Sequence, residues 1–152
     1  MFTKIMIFSM CLYSVGQIQY KSPSASKKFY MKYAPTKLKV CQQVGLRAVS
    51  KGVSPVEAIA VSFVETRHNN KLKGSAGEVG AMQALPKYWL KKSDKDYIDA
   101  GLRAWKYYRN LSTSVQETAG KYNGAGTSSL YARKVQKHVD KLNRLVSIKR
   151  IF

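Results

Sequence analysis

The sequence predicts a mostly α fold, and three observations carry that expectation. Apolar residues recur at three- and four-residue spacing along much of the chain. One stretch opens with a full helix-start signal. No run alternates apolar and polar residues long enough to make a strand of any length, and no internal repeat is present. The 152 residues suffice for one domain with a sizeable core, and a hydrophobic content of 45% makes most of it globular.

In chain order, residues 1–16 read as an export signal. Lys4 supplies a basic start, and the apolar run 5–15 (IMIFSMCLYSV) has the length of an h-region. Ser14 and Gly16 are small residues placed as in a cleavage site, so Gln17 would begin the mature chain. The run falls short of the ~20 apolar residues of a membrane span. An uncleaved anchor and a buried N-terminal helix or strand are the alternatives. Met10 argues against a lipid anchor at Cys11. The chain has 2 cysteines, and loss of the leader would leave Cys41 alone, so no structural disulfide is expected. Residues 17–35, with their Ser, Lys and Pro, read as a linker or irregular lead-in. The folded domain is expected over residues 36–152.

Residues 36–50 carry Leu38, Cys41, Val44, Ala48 and Val49 at helical spacing, with Thr36 to cap the start and Gly52 to end it. The clearest boundary follows. Ser54-Pro55-Val56-Glu57 is a capping box with proline at the first helical position, in which Glu57 is expected to reach back to the Ser54 backbone. Residues 58–64 (AIAVSFV) are apolar on nearly every face, the mark of a buried helix. That helix ends near Glu65-Thr66-Arg67. Residues 74–80 (GSAGEVG) must form a loop or tight hairpin. Pro86 starts a short helix over residues 87–92, and residues 97–111 follow with Ile98, Leu102, Trp105 and Tyr108 along one side. Ser112 or Thr113 caps another helix through Gly120, and residues 128–146 form a last, basic one.

Charge is one-sided, with 27 Lys+Arg against 8 Asp+Glu and a formal net +19. Such a field draws the protein toward polyanions: nucleic acid, anionic lipid head groups, or a cell wall with its peptide carboxylates. No dense arginine block or zinc-finger spacing supports the first of these. The 10 tyrosines suit a surface that holds sugars or extended polymers, and equally suit ordinary packing. His68 and His138 lack ligand-like spacing, so neither a metal nor another cofactor is expected.

Glu65 is the candidate for chemistry. A carboxyl at the end of an apolar helix is desolvated and lies at the negative end of the helix dipole. Both effects raise its pKa and hold it protonated near neutral pH, the state of a general acid. A salt bridge to Arg67 or Arg103 is the competing, purely structural role.

Three segments in one order extend this reading. They are Glu65-Thr66, Gly77-Glu78-Val79-Gly80-Ala81-Met82-Gln83 with Pro86 after it, and Lys121-Tyr122-Asn123-Gly124-Ala125-Gly126. Together they resemble lytic transglycosylases of the soluble-transglycosylase type, which share a goose-lysozyme-like fold. The family pattern runs Glu-Ser, Gly-Ala-x-Gly-Leu-Met-Gln and Ala-x-Tyr-Asn-x-Gly. Thr66, Glu78 and Ala81 depart from it, and Gly120 falls near the usual alanine. Gly101 and Tyr131-Ala132-Arg133-Lys134-Val135 are smaller echoes. The resemblance spans roughly residues 53–142. It implies a lysozyme-like helical domain whose glycine-rich loop or small hairpin lies beside the active-site cleft. It also implies peptidoglycan glycan strands as substrate, cut between N-acetylmuramic acid and N-acetylglucosamine. Glu65 would act as acid and then base, and Ser75, Met82, Gln83, Tyr122 and Asn123 would contact or shape the sugar site. Glu78 is a possible second carboxylate, which would turn a transglycosylase into a hydrolase. A non-catalytic wall-binding protein on the same scaffold is the third reading. The expected protein is a monomer exported to the periplasm or cell envelope. A bacteriophage virion or lysis protein, a secretion system or turnover of the cell's own wall would all suit it.

Overall fold

In the computed structural model, the backbone is described over residues 4–18 and 23–151 and the side chains over residues 4–18 and 32–148. Among the described residues there are seven helices and no named strand: α1 (Lys4–Gly16), α2 (Pro23–Ser50), α3 (Pro55–Thr66), α4 (Pro86–Trp89), α5 (Tyr97–Asn110), α6 (Val115–Asn123) and α7 (Leu130–Ile151). The mostly α expectation holds. The glycine-rich stretch forms turns pinned by two isolated antiparallel bridges, Lys73 with Val79 and Val79 with Ala84. No described helix is long and apolar enough to cross a membrane.

Helix α3 is the axis of the core. Pro55, Val56 and the Ala58–Ser62 stretch are all buried, and α1, α2 and α7 pack around it. Its start is only half the capping box foreseen. Ser54 Oγ accepts from the Glu57 amide at 3.3 Å. The Glu57 carboxylate does not turn back, but takes Trp105 Nε1–H at 3.1 Å and Arg109 Nε–H at 2.9 Å from α5. A cation and an indole on a neighbouring helix outcompete a local backbone amide. The cap residue of α6 also shifts, from Ser112 or Thr113 to Ser114, which accepts from the Glu117 amide.

The N-terminal third departs most from expectation. Residues 4–16 form a helix whose Ile7, Met10, Cys11, Ser14 and Val15 are buried in the core. Cleavage before Gln17 would remove all five. The stretch read as a linker is helical from Pro23 onward, with Pro35 inside α2. Proline removes one backbone donor, but Ala34, Val40, Cys41, Val44 and Ala48 are all buried on this helix. Tertiary packing therefore outweighs a composition that suggested irregular chain. A disulfide joins Cys11 to Cys41 across 30 residues. The expectation of no structural disulfide is thus corrected, because it rested on losing the leader. A loop of that length implies about 3–4 kcal/mol of stabilisation in the chain-entropy account.

A hydroxyl–imidazole chain locks the same region. Ser14 Oγ hydrogen-bonds His68 Nε2 at 2.7 Å and His138 Nε2 at 3.0 Å, and Ser62 Oγ bonds His68 Nδ1 at 2.8 Å. Burial, followed by the charges of His138 and Lys37, depresses His68 to about 3. Burial, followed by Lys141, depresses His138 to about 4. Both rings are neutral at pH 7. The two histidines, far apart in sequence, are thus tied to one serine, and no described group of three or more His, Cys, Asp or Glu side chains could hold a metal ion.

Candidate active site

Helix α3 ends at the residue that the sequence singled out. Its C-cap is Arg67 in the left-handed conformation, φ 54°, with its amide returning to Phe63 and Ser62 carbonyls. Glu65 lies in the last turn, where the free carbonyls of the helix end face it. Burial raises its carboxyl from 4.5 to about 7, opposed by the nearby Tyr131 hydroxyl and assisted by the charge of Glu78. No ion pair reaches Glu65 among the described residues. Arg103 instead forks onto Asp94, with Nη2 at 2.6 Å from Oδ1 and Nη1 at 2.8 Å from Oδ2. The salt-bridge role for Glu65 is therefore not realised.

Thr66 ties this helix end to the glycine-rich turns. Its hydroxyl donates to the Ala81 carbonyl at 2.8 Å and accepts from the Asn69 amide at 3.0 Å. Asn70 Oδ1 accepts from the Ala81 amide at 3.0 Å. The segment carrying Glu78 is thereby held against the helix end that carries Glu65. Within it, an ideal Cβ on Gly74 would stand 2.0 Å from Glu78 Oε1. The Glu78 carboxyl lies in the space that any side chain at position 74 would take. The two carboxyls are close enough for the charge of Glu78 to disfavour ionisation of Glu65.

Two tyrosines complete the group. Tyr131, from the first turn of α7, has a buried hydroxyl that makes no hydrogen bond of ordinary geometry. It nevertheless faces the Glu65 carboxyl closely enough to favour its charged form. The same proximity, added to burial, holds the phenol well above its usual range. The hydroxyl of Tyr122, on α6, donates to the Met82 carbonyl at 2.5 Å. Burial and the Glu65 charge raise its pKa. The approach of α6 to α7's leading loop needs Gly120, because a Cβ there would stand 2.4 Å from the Gly126 carbonyl carbon. An alanine there would clash, so the close approach requires glycine.

The other expected site residues divide. Met82 was expected to line the cleft. Its side chain is fully buried and packs on Gly101, and only its carbonyl serves the site, as the acceptor for Tyr122. Gln83 was expected beside the acid as well. Its amide donates to the Leu72 and Gly80 carbonyls at 3.0 and 2.9 Å, so it fastens the glycine-rich turns. Ser75 is exposed in those turns, and Asn123 is exposed at the end of α6. Glu65, Glu78, Tyr122 and Tyr131 are thus drawn together, whereas Ser75 and Asn123 stay on the surface. Sequence reasoning gave Tyr131 no role and passed over Asn70. For Tyr131 the available signal was its match to the segment after the third motif. Compared with models of protein families, with curated proteins and with solved structures, the chain matches none.

Chemically, the arrangement is a single proton donor poised near neutrality, with a second carboxyl and two phenols around it. A carboxyl with a pKa of about 7 is partly protonated at physiological pH and reversible in either direction. Among the described residues no cation pairs with it.

Proposed function

We propose that this chain is a peptidoglycan-cleaving lytic transglycosylase in which Glu65 is the acid and then the base. The observation that carries the reading is the pKa of Glu65, raised to about 7 at the end of α3 with no cationic partner among the described residues. The resemblance of the three segments supplies the substrate class. In this mechanism Glu65 gives its proton to the oxygen between N-acetylmuramic acid and N-acetylglucosamine as C1 becomes oxocarbenium-like. The resulting carboxylate then takes the proton of the muramoyl 6-hydroxyl, whose oxygen closes onto C1. The bond to the leaving sugar breaks, a 1,6-anhydro bond forms, and no water enters. One carboxyl performs both transfers because a pKa near neutrality favours neither form strongly.

Glu78 supports a second reading. Its charge acts on Glu65, and a glycosidase that uses water needs a second carboxylate near the first. In that case Glu78 activates a water and the protein is a goose-type, lysozyme-like hydrolase of the same bond. Mass spectrometry of muropeptides released from purified wall separates the two. Anhydro-muramic ends are expected; reducing ends alone would overturn the transglycosylase reading in favour of the hydrolase. Wall binding without any released fragment would leave a non-catalytic binding protein. The working place proposed for all three is the periplasm or cell envelope.

A further inference from the structure

A cavity of about 350 Å³ opens between the C-terminal end of α3 and α7. Four cationic residues line it: Arg67 from the α3 cap, and Lys134, Lys137 and Lys141 from α7. The three lysines fall on one helical face, at spacings of three and four residues. Phe63 and His138, which also line the cavity, are stacked with ring centroids 4.0 Å apart. No carboxylate is among the described lining residues.

Several cations elsewhere do meet carboxylates. Arg47 lies against Asp96 and Asp99, Arg103 on Asp94, Arg109 on Glu57 and Lys121 on Glu117. Among the described residues none of the four cavity cations takes part in an ion pair. Lys37 adds further positive charge, donating to the Arg67 carbonyl at 2.7 Å. Backbone geometry does not account for the arginine either. A left-handed cap is the usual place of glycine or asparagine, and an arginine there carries a steric cost. Like charges gathered around one hollow repel, and an anion seated in it relieves that repulsion.

We propose that this cavity is a binding site for a small, multiply charged oxyanion of the phosphate class. A guanidinium fork and three ammonium groups, approaching from two helices, suit a tetrahedral group with several charged oxygens. A single carboxylate would answer only part of that charge. The hollow shape and aromatic lining fit a discrete group better than the plane of a lipid surface. Glu65 does not line the cavity, so the site stands apart from the proposed chemistry and is tested by binding alone.

The experiment uses the full chain and inorganic pyrophosphate at physiological ionic strength, followed by calorimetry and by the ring resonances of His138. A saturable one-to-one shift of His138 is expected. Replacing Lys134 and Lys137 together by alanine should weaken binding by roughly tenfold or more, as for lost charge-assisted hydrogen bonds. Both side chains are exposed, so the fold should survive. Replacing Lys91 and Lys92 by alanine removes the same charge from an exposed stretch outside the cavity, and should leave binding nearly unchanged. No saturable shift, or equal losses in the two pairs, would overturn the site. So would phosphatidylglycerol vesicles binding through Lys134 and Lys137 while pyrophosphate does not, since the partner would then be a membrane surface.

Discussion

The two ends of α3 each carry a glutamate, and they have opposite surroundings. Glu57, in the first turn, sits at the positive end of the helix dipole and is held by Arg109 and the Trp105 indole. Glu65, in the last turn, sits at the negative end beside two tyrosines and another carboxyl, with its pKa raised to about 7. The same residue type is a structural pin at one end and an unpaired carboxyl of raised pKa at the other. Burial without a cation at one end, and an arginine with an indole at the other, make the difference.

The strongest way to break this comparison is Glu65→Gln. Wall lysis should fall by about three orders of magnitude or more, as expected when a general acid is lost. The folded state should gain stability above pH 7. Between 4.5 and about 7 the unfolded chain ionises Glu65 before the folded one does. Stability therefore falls as pH rises through that window, and the glutamine variant escapes the loss, on the order of 2 kcal/mol at pH 8. Thermal melts at pH 5 and pH 8 check the sign. A variant that lyses wall normally would reject Glu65 as the acid.

Glu57→Ala is the mirror experiment. It leaves a part-buried indole N–H and a guanidinium without their acceptor, and should cost about 2 kcal/mol. Urea denaturation measures that loss. The pH profile of lysis should not move, and a profile that does move would mean the two ends of α3 are not independent.

Smaller effects sharpen the Glu65 end. Tyr131→Phe removes the hydroxyl that favours the carboxylate, so the pKa of Glu65 should rise. The high-pH limb of the rate profile then moves to higher pH. Glu78→Gln removes a like charge and should move that limb the other way, by less, since Glu78 is the weaker influence. In the transglycosylase the Glu78 variant keeps its anhydro products. In the hydrolase it loses most of its turnover, so one substitution reports on both the electrostatics and the reaction.

The candidate site was legible only in part. Glu65 and the glycine-rich segment stand out because a carboxyl after AIAVSFV and three glycines in seven residues are local signals. Tyr122 was placed by the resemblance, although its hydroxyl bonds a backbone carbonyl and not the acid. Where the side chains of Met82 and Gln83 point was not legible, for one reason. A side chain in a tight turn can face the core, the turn itself or the solvent, and spacing alone does not choose among them.

What the sequence determined alone were features with short-range causes. These are the helix starts at Ser54 and Pro86, the turn between residues 74 and 80, the apolar body of α3, and the strong excess of positive charge. Tertiary structure decided what depends on distant partners. It buried residues 4–16 as a helix, linked Cys11 to Cys41, carried α2 through Pro35, and gathered Ser14, His68 and His138 into one chain of hydrogen bonds. It also set Glu78 and Tyr131 beside Glu65. Capping and periodicity act within a few residues and can be read along the chain. Desolvation, disulfide pairing and the influence of one charge on another depend on which surfaces meet, and that is settled only when the helices pack.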